Sequence, residues 1–157
     1  MKRISPSRLD ELVGAAQASP RLRANLNLHE TLSDPIQRLA IAMEPETLIR
    51  PHRHTHTWEL LFPLRGRFIV LLFDDAGIVT HRAVLGEDTE MLEMPVGQWH
   101  AVLSLDSGGV IFEVKQGAYA PLEAADFAPW VASDDASPAL LTWYDSAQPG
   151  ERLVGSR

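Results

Sequence analysis

The chain has 157 residues, a formal net charge of −7 and no cysteine. The length suits one hydrophobic core, so a single domain over residues 1–157 is expected. The acidic balance argues against nucleic-acid binding through a basic surface. Without cysteine there are no disulfides and no thiolate metal sites, and histidine and carboxylate remain as the strong ligands. No apolar run approaches the roughly 20 residues of a membrane span, and the N-terminus lacks the apolar core of a signal peptide. A cytoplasmic protein with no membrane partner is the expectation.

Residues 5–18, SPSRLDELVGAAQA, read as a short helix. Ser5 suits the N-cap and Pro6 the first helical position, while Leu9, Leu12, Val13 and Ala16 share one face. Ser19-Pro20 stops it, and residues 21–35 read as an irregular or extended arm. From about 37 to 116 the pattern changes to short strands separated by turn signals. RLAIAM places Leu39, Ile41 and Met43 on one side, and TLIRPHRH follows as a second strand. WELLFPLRGRFIVLLFDDAGIVTHRAVL divides at Arg65-Gly66 and at Asp74-Asp75-Ala76-Gly77. EMLEMP, WHAVLSL and GVIFEVK complete the series. RFIVLLF is apolar on both faces, as a central strand covered on both sides would be. The pattern is that of an all-β sandwich or barrel. The tail, 117–157, carries Phe127, Trp130, Trp143 and Tyr144 as anchors, with one short helix near 137–144. It reads as a segment wrapped on the barrel, its last six or so residues disordered.

RPHRHTHTWE, residues 50–59, holds half of the six histidines. On a strand, His52 and His54 project from the same face with Cα atoms about 6.6 Å apart. Two imidazoles so placed can converge on one ion at about 2.0–2.1 Å. Glu59 lies beyond a short bend and can add a carboxylate, and His100 in PVGQWH opens another strand after a Pro-x-Gly turn. The competing reading is a polar strand edge facing water, with Glu59 an exposed carboxylate beside Arg65 or Arg67.

His52-x-His54, four residues, Glu59, six residues, Gly66 has the spacing of the first cupin motif, and Pro95-x-Gly97-x-x-His100 has the form of the second. The chain thus resembles the cupins, double-stranded β-helix (jelly-roll) barrels. The resemblance implies one divalent metal ion held by His52, His54, Glu59 and His100. Glu46 stands where the first motif has glycine, and Ser104 where many cupins have asparagine. SPRLRANLNLH, DPIQRL, EPETLIRPHRH, WELLFPLRGR, LLFDDAG and DFAPW further resemble the WbuC family of cupin-fold metalloproteins, over about residues 5–145. Members of that family occur in bacterial polysaccharide and O-antigen gene clusters. The family name implies a metal-bound barrel and no particular reaction. Cupins are often homodimers, so a homodimer is expected.

Further candidates for the chemistry are His56, Arg50, Glu113 and Lys115. His56 could serve as an alternative ligand or a pocket acid/base. Arg50 shares strand parity with His52 and could bind an anionic group, or sit in a rim salt bridge. Glu113 and Lys115 share a face; a solvated strand edge is expected for them, with a pocket acid/base pair as the alternative. Asn25, Asn27 and His29 alternate, as a polar face over the barrel or as an exposed arm. His29 and His81 are expected at the surface, and Trp58 and Trp99 in the core or an interface.

The function expected is metal-dependent isomerase, epimerase or lyase chemistry on a small molecule such as a sugar nucleotide or related carbohydrate, the ion acting as Lewis acid. The alternatives are a non-haem metal dioxygenase and a non-catalytic sugar-binding or sensor module. Zinc, iron, nickel and manganese all suit the donor set.

Overall fold

A computed structural model describes residues 1–131 and 138–153. The chain begins with α1, Pro6–Ala18, which has Pro6 in its first turn and an N-cap, Ser5, whose side chain accepts the Arg8 N–H. Eight strands follow: β1 (Arg23–Asn27), β2 (Ile36–Met43), β3 (Glu59–Arg65), β4 (Phe68–Phe73), β5 (Val79–Leu85), β6 (Leu92–Met94), β7 (Trp99–Ser104) and β8 (Gly109–Gln116). A short 3-10 turn, Ala124–Asp126, and α2, Pro138–Ser146, complete the described elements. The strands form a five-stranded sheet in the order β1-β2-β8-β3-β6 and a three-stranded sheet in the order β5-β4-β7. Every neighbouring pair is antiparallel. This is the all-β architecture that the strand pattern predicts, in the jelly-roll form that the resemblance implies.

Period-two alternation explains the layering. On β2 and β8, Ala40, Ala42, Val110 and Phe112 face outward and pack under Leu12 and Ala16 of α1. Their alternates face the other sheet, where Met43, Leu61, Phe68, Val70, Met94, Val102 and Ile111 form the core. On β4 both parities are apolar because both faces are covered. Phe68 and Val70 join that inner core. Ile69, Leu71 and Phe73 pack outward against the tail, on Ala128, Val131, Leu140 and Tyr144.

The tail anchors therefore bury on the barrel. The Trp143 ring stacks on Phe73 with centroids 6.1 Å apart, and the Tyr144 hydroxyl donates to the Ile49 carbonyl at 2.9 Å. Trp130 fills the space above Gly77, where a Cβ would meet its ring at 2.7 Å and where φ is +80°. The helix expected near 137–144 runs from Pro138 to Ser146, residue 137 lying outside the described residues. Of the last residues, expected to be disordered, 154–157 lie outside them too, whereas Arg152 bridges Ile78. Among the described residues no helix is long and apolar enough to cross a membrane.

Of the irregular or extended arm 21–35, residues Arg23–Asn27 are extended: they form β1, which pairs along its length with β2. Ala24 and Leu26 pack toward α1, so Arg23, Asn25 and Asn27 take the opposite face. One expectation about the strands is corrected: TLIRPHRH is not a strand. It makes one isolated bridge with His100 and one with Phe127. Pro51 has no N–H to donate, which limits this stretch to the bonds that flank it. Those bonds are firm: His52 and His100 exchange N–H···O contacts of 3.0 and 2.9 Å, and the Gly97 N–H donates to the His54 carbonyl at 2.8 Å.

Candidate metal centre

Three backbone devices bring the site together. The His52–His100 bridge fixes the 51–54 stretch against β7. The antiparallel register places Glu59 of β3 opposite Lys115 of β8, and Leu61 opposite Glu113. The pairing of β7 with β4 sets His100 opposite Leu72. One ring nitrogen from each of His52, His54 and His100 then lies within 4.8 Å of the others. The ring centroids of His52 and His100 are 4.4 Å apart, and those of His52 and His54 are 5.1 Å apart. Glu59 joins them. Its Oε1 is 3.1 Å from His54 Nε2 and its Oε2 is 3.1 Å from His100 Nε2. His54, Glu59 and His100 are buried and His52 is partly buried.

The electrostatics suit a cation. The His52 Nδ1–H donates to the Arg50 carbonyl at 2.8 Å, which leaves Nε2 as the lone pair. Burial, with the neighbouring His100 second, pushes its pKa down to about 3, so this ring is neutral and ready to ligate. His100 Nδ1 faces the Gln98 carbonyl at 3.0 Å. Burial alone would lower His100, but the hydrogen bond and charge of Glu59 outweigh it and the net shift is upward. Burial would likewise raise Glu59, yet the hydrogen bonds from His100 and His54 hold it well below the usual carboxylate range. Backbone carbonyls that orient imidazoles and fix their tautomers are the usual support of a metal site. Ligands at about 2.0–2.1 Å from one ion stand about 3–4 Å from each other; the two Glu59 contacts are 3.1 Å and the three imidazole nitrogens lie within 4.8 Å. The residues therefore fit one divalent ion held by nitrogen and oxygen donors.

A cavity of about 940 Å³ opens beside this cluster. His52, His54, Glu113, Lys115, Arg50, Asn25, Asn27 and His29 are in its wall. Glu113 and Lys115, expected on a solvated edge, instead form a partly buried pair with Nζ 2.7 Å from Glu113 Oε1 and 3.6 Å from Glu59 Oε1. Their parity on β8 matches Ile111, so they point inward. His29, expected at the surface, is buried, because its Nδ1 accepts the Arg38 N–H in place of a strand partner. His81 is exposed as expected. His56 is exposed, its ring centroid 6.2 Å from that of His54. Arg50 lies over the Phe127 ring at 4.7 Å. Trp99 is in the core, with the Arg53 guanidinium 4.3 Å above it. Trp58 donates to Gln116.

Arg21, Arg23 and Tyr119 also reach the cavity and are not singled out by the sequence, which leaves them in the arm and tail. The alternation at Asn25, Asn27 and His29, carried two residues back, would have found Arg23, whereas Arg21 lies beyond the bend at Leu22.

The family described as "Domain of unknown function (DUF6016)" matches residues 4–85. The chain belongs to this family. No curated protein matches its sequence. Among solved structures, KdgF from Halomonas sp. superposes with a TM-score of 0.52 at 13% identity, over 65% of this chain and 85% of that one. TT1209 from Thermus thermophilus gives 0.54 at 18% identity, over 74% and 98%. Oxalate oxidase in complex with the substrate analogue glycolate gives 0.54 at 17% identity, over 82% and 67%. At these identities the likeness shows the fold, which is the cupin barrel.

Proposed function

We propose that this protein is a metal-dependent cupin enzyme, with one divalent ion held by His52, His54, Glu59 and His100. The observation that carries the proposal is the convergence of three imidazoles and a carboxylate, drawn from three separate segments, on one buried point at the wall of a large cavity. The reaction class we assign is isomerisation, epimerisation or elimination on a sugar nucleotide or related carbohydrate. The resemblance to the WbuC family supports a place in surface-polysaccharide biosynthesis. When bound, the ion supplies Lewis-acid polarisation of a substrate oxygen.

The remaining work falls to the chain. Burial would lower Lys115, but the charges of Glu113 and Glu59 raise it more, so it stays cationic at neutral pH. Lys115 then donates a proton or hydrogen bond, and Glu113, 2.7 Å away, receives the proton taken from substrate. Asn25 and Asn27 of β1 offer hydrogen bonds to sugar hydroxyls from the far wall. Turnover of nucleotide sugars by the purified protein tests the reading: it should be abolished by a chelator, restored by one metal and indifferent to oxygen. Oxygen uptake during turnover would move the protein to dioxygenase chemistry. Sugar binding without turnover would make it a binding module.

A further inference from the structure

We infer that the cavity takes an anionic small molecule whose carboxylate or phosphate group is held by Arg21, Arg23 and Arg50. This deepens the proposed function and rests on its reading of the cavity as a substrate pocket. The chain is acidic overall, at −7. Among the described residues the cavity wall is the reverse: it contains Arg21, Arg23, Arg50 and Lys115, and its one carboxylate, Glu113, is occupied by Lys115. Several arginines elsewhere have carboxylate partners, whereas Arg53 stacks on Trp99 and Arg82 donates to the Asp145 carbonyl. Arg38 pairs with Asp34, Arg65 with Asp10, and Arg67 with Asp106 and Glu87. Among the described residues, no carboxylate pairs with the three cavity arginines.

The backbone gathers them. Leu22, between Arg21 and Arg23, has φ +53°, a left-handed conformation that a branched side chain seldom adopts. It is held there because its carbonyl accepts both the Thr47 hydroxyl at 2.5 Å and the Glu44 N–H at 3.1 Å. Thr47 is three residues before Arg50, at most about 10 Å of extended chain. The bend thus ties the arginine pair to the segment that carries the third. Burial and the charge of Arg21 both weigh against the charged form of Arg23, a cost that an anion would relieve.

Two more donors point the same way. The Arg38 N–H can only donate, and it points at His29 Nδ1 at 3.0 Å, which places the His29 proton on Nε2. That Nε2 and the Arg50 Nε are both buried without a protein partner, in residues of the cavity wall. Two buried donors without a partner, beside arginines that no described carboxylate neutralises, call for a ligand rich in acceptors.

The test is calorimetric titration of the metal-loaded full chain with inorganic pyrophosphate, D-glucuronate and D-glucose. At least one of the two anions should bind about tenfold or more tighter than glucose, and Arg23→Gln and Arg50→Gln should each weaken it about tenfold, as loss of a charge-assisted bond predicts. Metal content should stay unchanged in both, and melting temperature in Arg23→Gln. Should Arg50→Gln misfold, the Arg21→Gln/Arg23→Gln double variant carries the test. Preference for pyrophosphate assigns a phosphate-bearing ligand, and preference for glucuronate a carboxylate. Glucose binding as well as the anions overturns the inference. So does full anion affinity in the arginine variants, which would put the anion on the ion alone. Arginine-dependent anion binding by a chain that holds no metal would overturn the proposed function and leave this inference standing.

Discussion

Glu59 and His100 meet at 3.1 Å although they come from opposite sheets, β3 in one and β7 in the other. The carboxylate spans the gap between the sheets and also touches His54. In the metal-free chain this is an ion pair, since His100 donates from both ring nitrogens. A cation entering the site displaces that proton. Loading zinc should therefore release protons, measurable as a dependence of the calorimetric heat on buffer ionisation enthalpy. In Glu59→Gln the released fraction near pH 7 should fall, because the amide no longer holds His100 charged.

The metal-free protein should lose stability as pH drops. His52 takes a proton at 6.5 when unfolded but only at about 3 when folded. Between those values the unfolded state binds more protons, so unfolding free energy falls with falling pH, by up to about 1.4 kcal/mol per unit. Glu59, depressed in the fold, acts in the same direction below its ordinary range. His100 opposes, because its raised value stabilises the fold most on the acid side of 6.5. Urea unfolding in chelator at pH 7 and pH 4.5 measures the net slope, and His52→Asn should flatten it. An unchanged slope in that variant would contradict the neutral His52.

Glu44 is a structural tether. It accepts from the Ser107 hydroxyl at 2.6 Å, the Gly108 N–H at 3.0 Å and Gln17 at 3.2 Å, joining the end of β2 to α1 and the turn before β8. Burial would raise its pKa, but these bonds outweigh it and the net shift is downward. Glu44→Ala leaves the donors unmatched and should cost about 2–4 kcal/mol. At roughly 2–4 °C per kcal/mol the melting temperature should drop by about 4–16 °C, read by calorimetry.

Gly77 and Gly117 separate backbone strain from tail packing. Their φ values are similar, +80° and +90°, but a Cβ at Gly77 meets the Trp130 ring while one at Gly117 meets nothing within 4 Å. Gly117→Ala should cost about 1–2 kcal/mol, the penalty of the left-handed region. Gly77→Ala should cost distinctly more, because it must also displace Trp130 from the barrel. Equal melting temperatures for the two variants would show that the Trp130 contact contributes nothing.

Much of this was legible because it rested on local spacing. The period-two strands, the capped α1 and the turns at Gly66 and Gly77 can be read from neighbouring residues. So can the grouping of His52, His54, Glu59 and His100, which depends on motif spacing. What escaped depended on distant partners. Glu113 and Lys115 look like an ordinary charged strand end until β3 is laid beside β8 and brings Glu59 to them. His29 looks exposed until the Arg38 N–H, lacking a strand partner, binds its ring. Arg21 joins Arg23 at the cavity only through the bend at Leu22, which no local rule would assign to a leucine. The strand expected at 47–54 failed on Pro51, a local signal outweighed by the apparent alternation of the histidines.

The central claim is that His52, His54, Glu59 and His100, rather than His56, make the metal site. Elemental analysis of wild type, His56→Ala and His100→Ala tests it directly, with circular dichroism to confirm folding. The account predicts about one equivalent of metal in wild type and in His56→Ala, and little or none in folded His100→Ala. Full occupancy in His100→Ala, or loss of metal from His56→Ala, would contradict it.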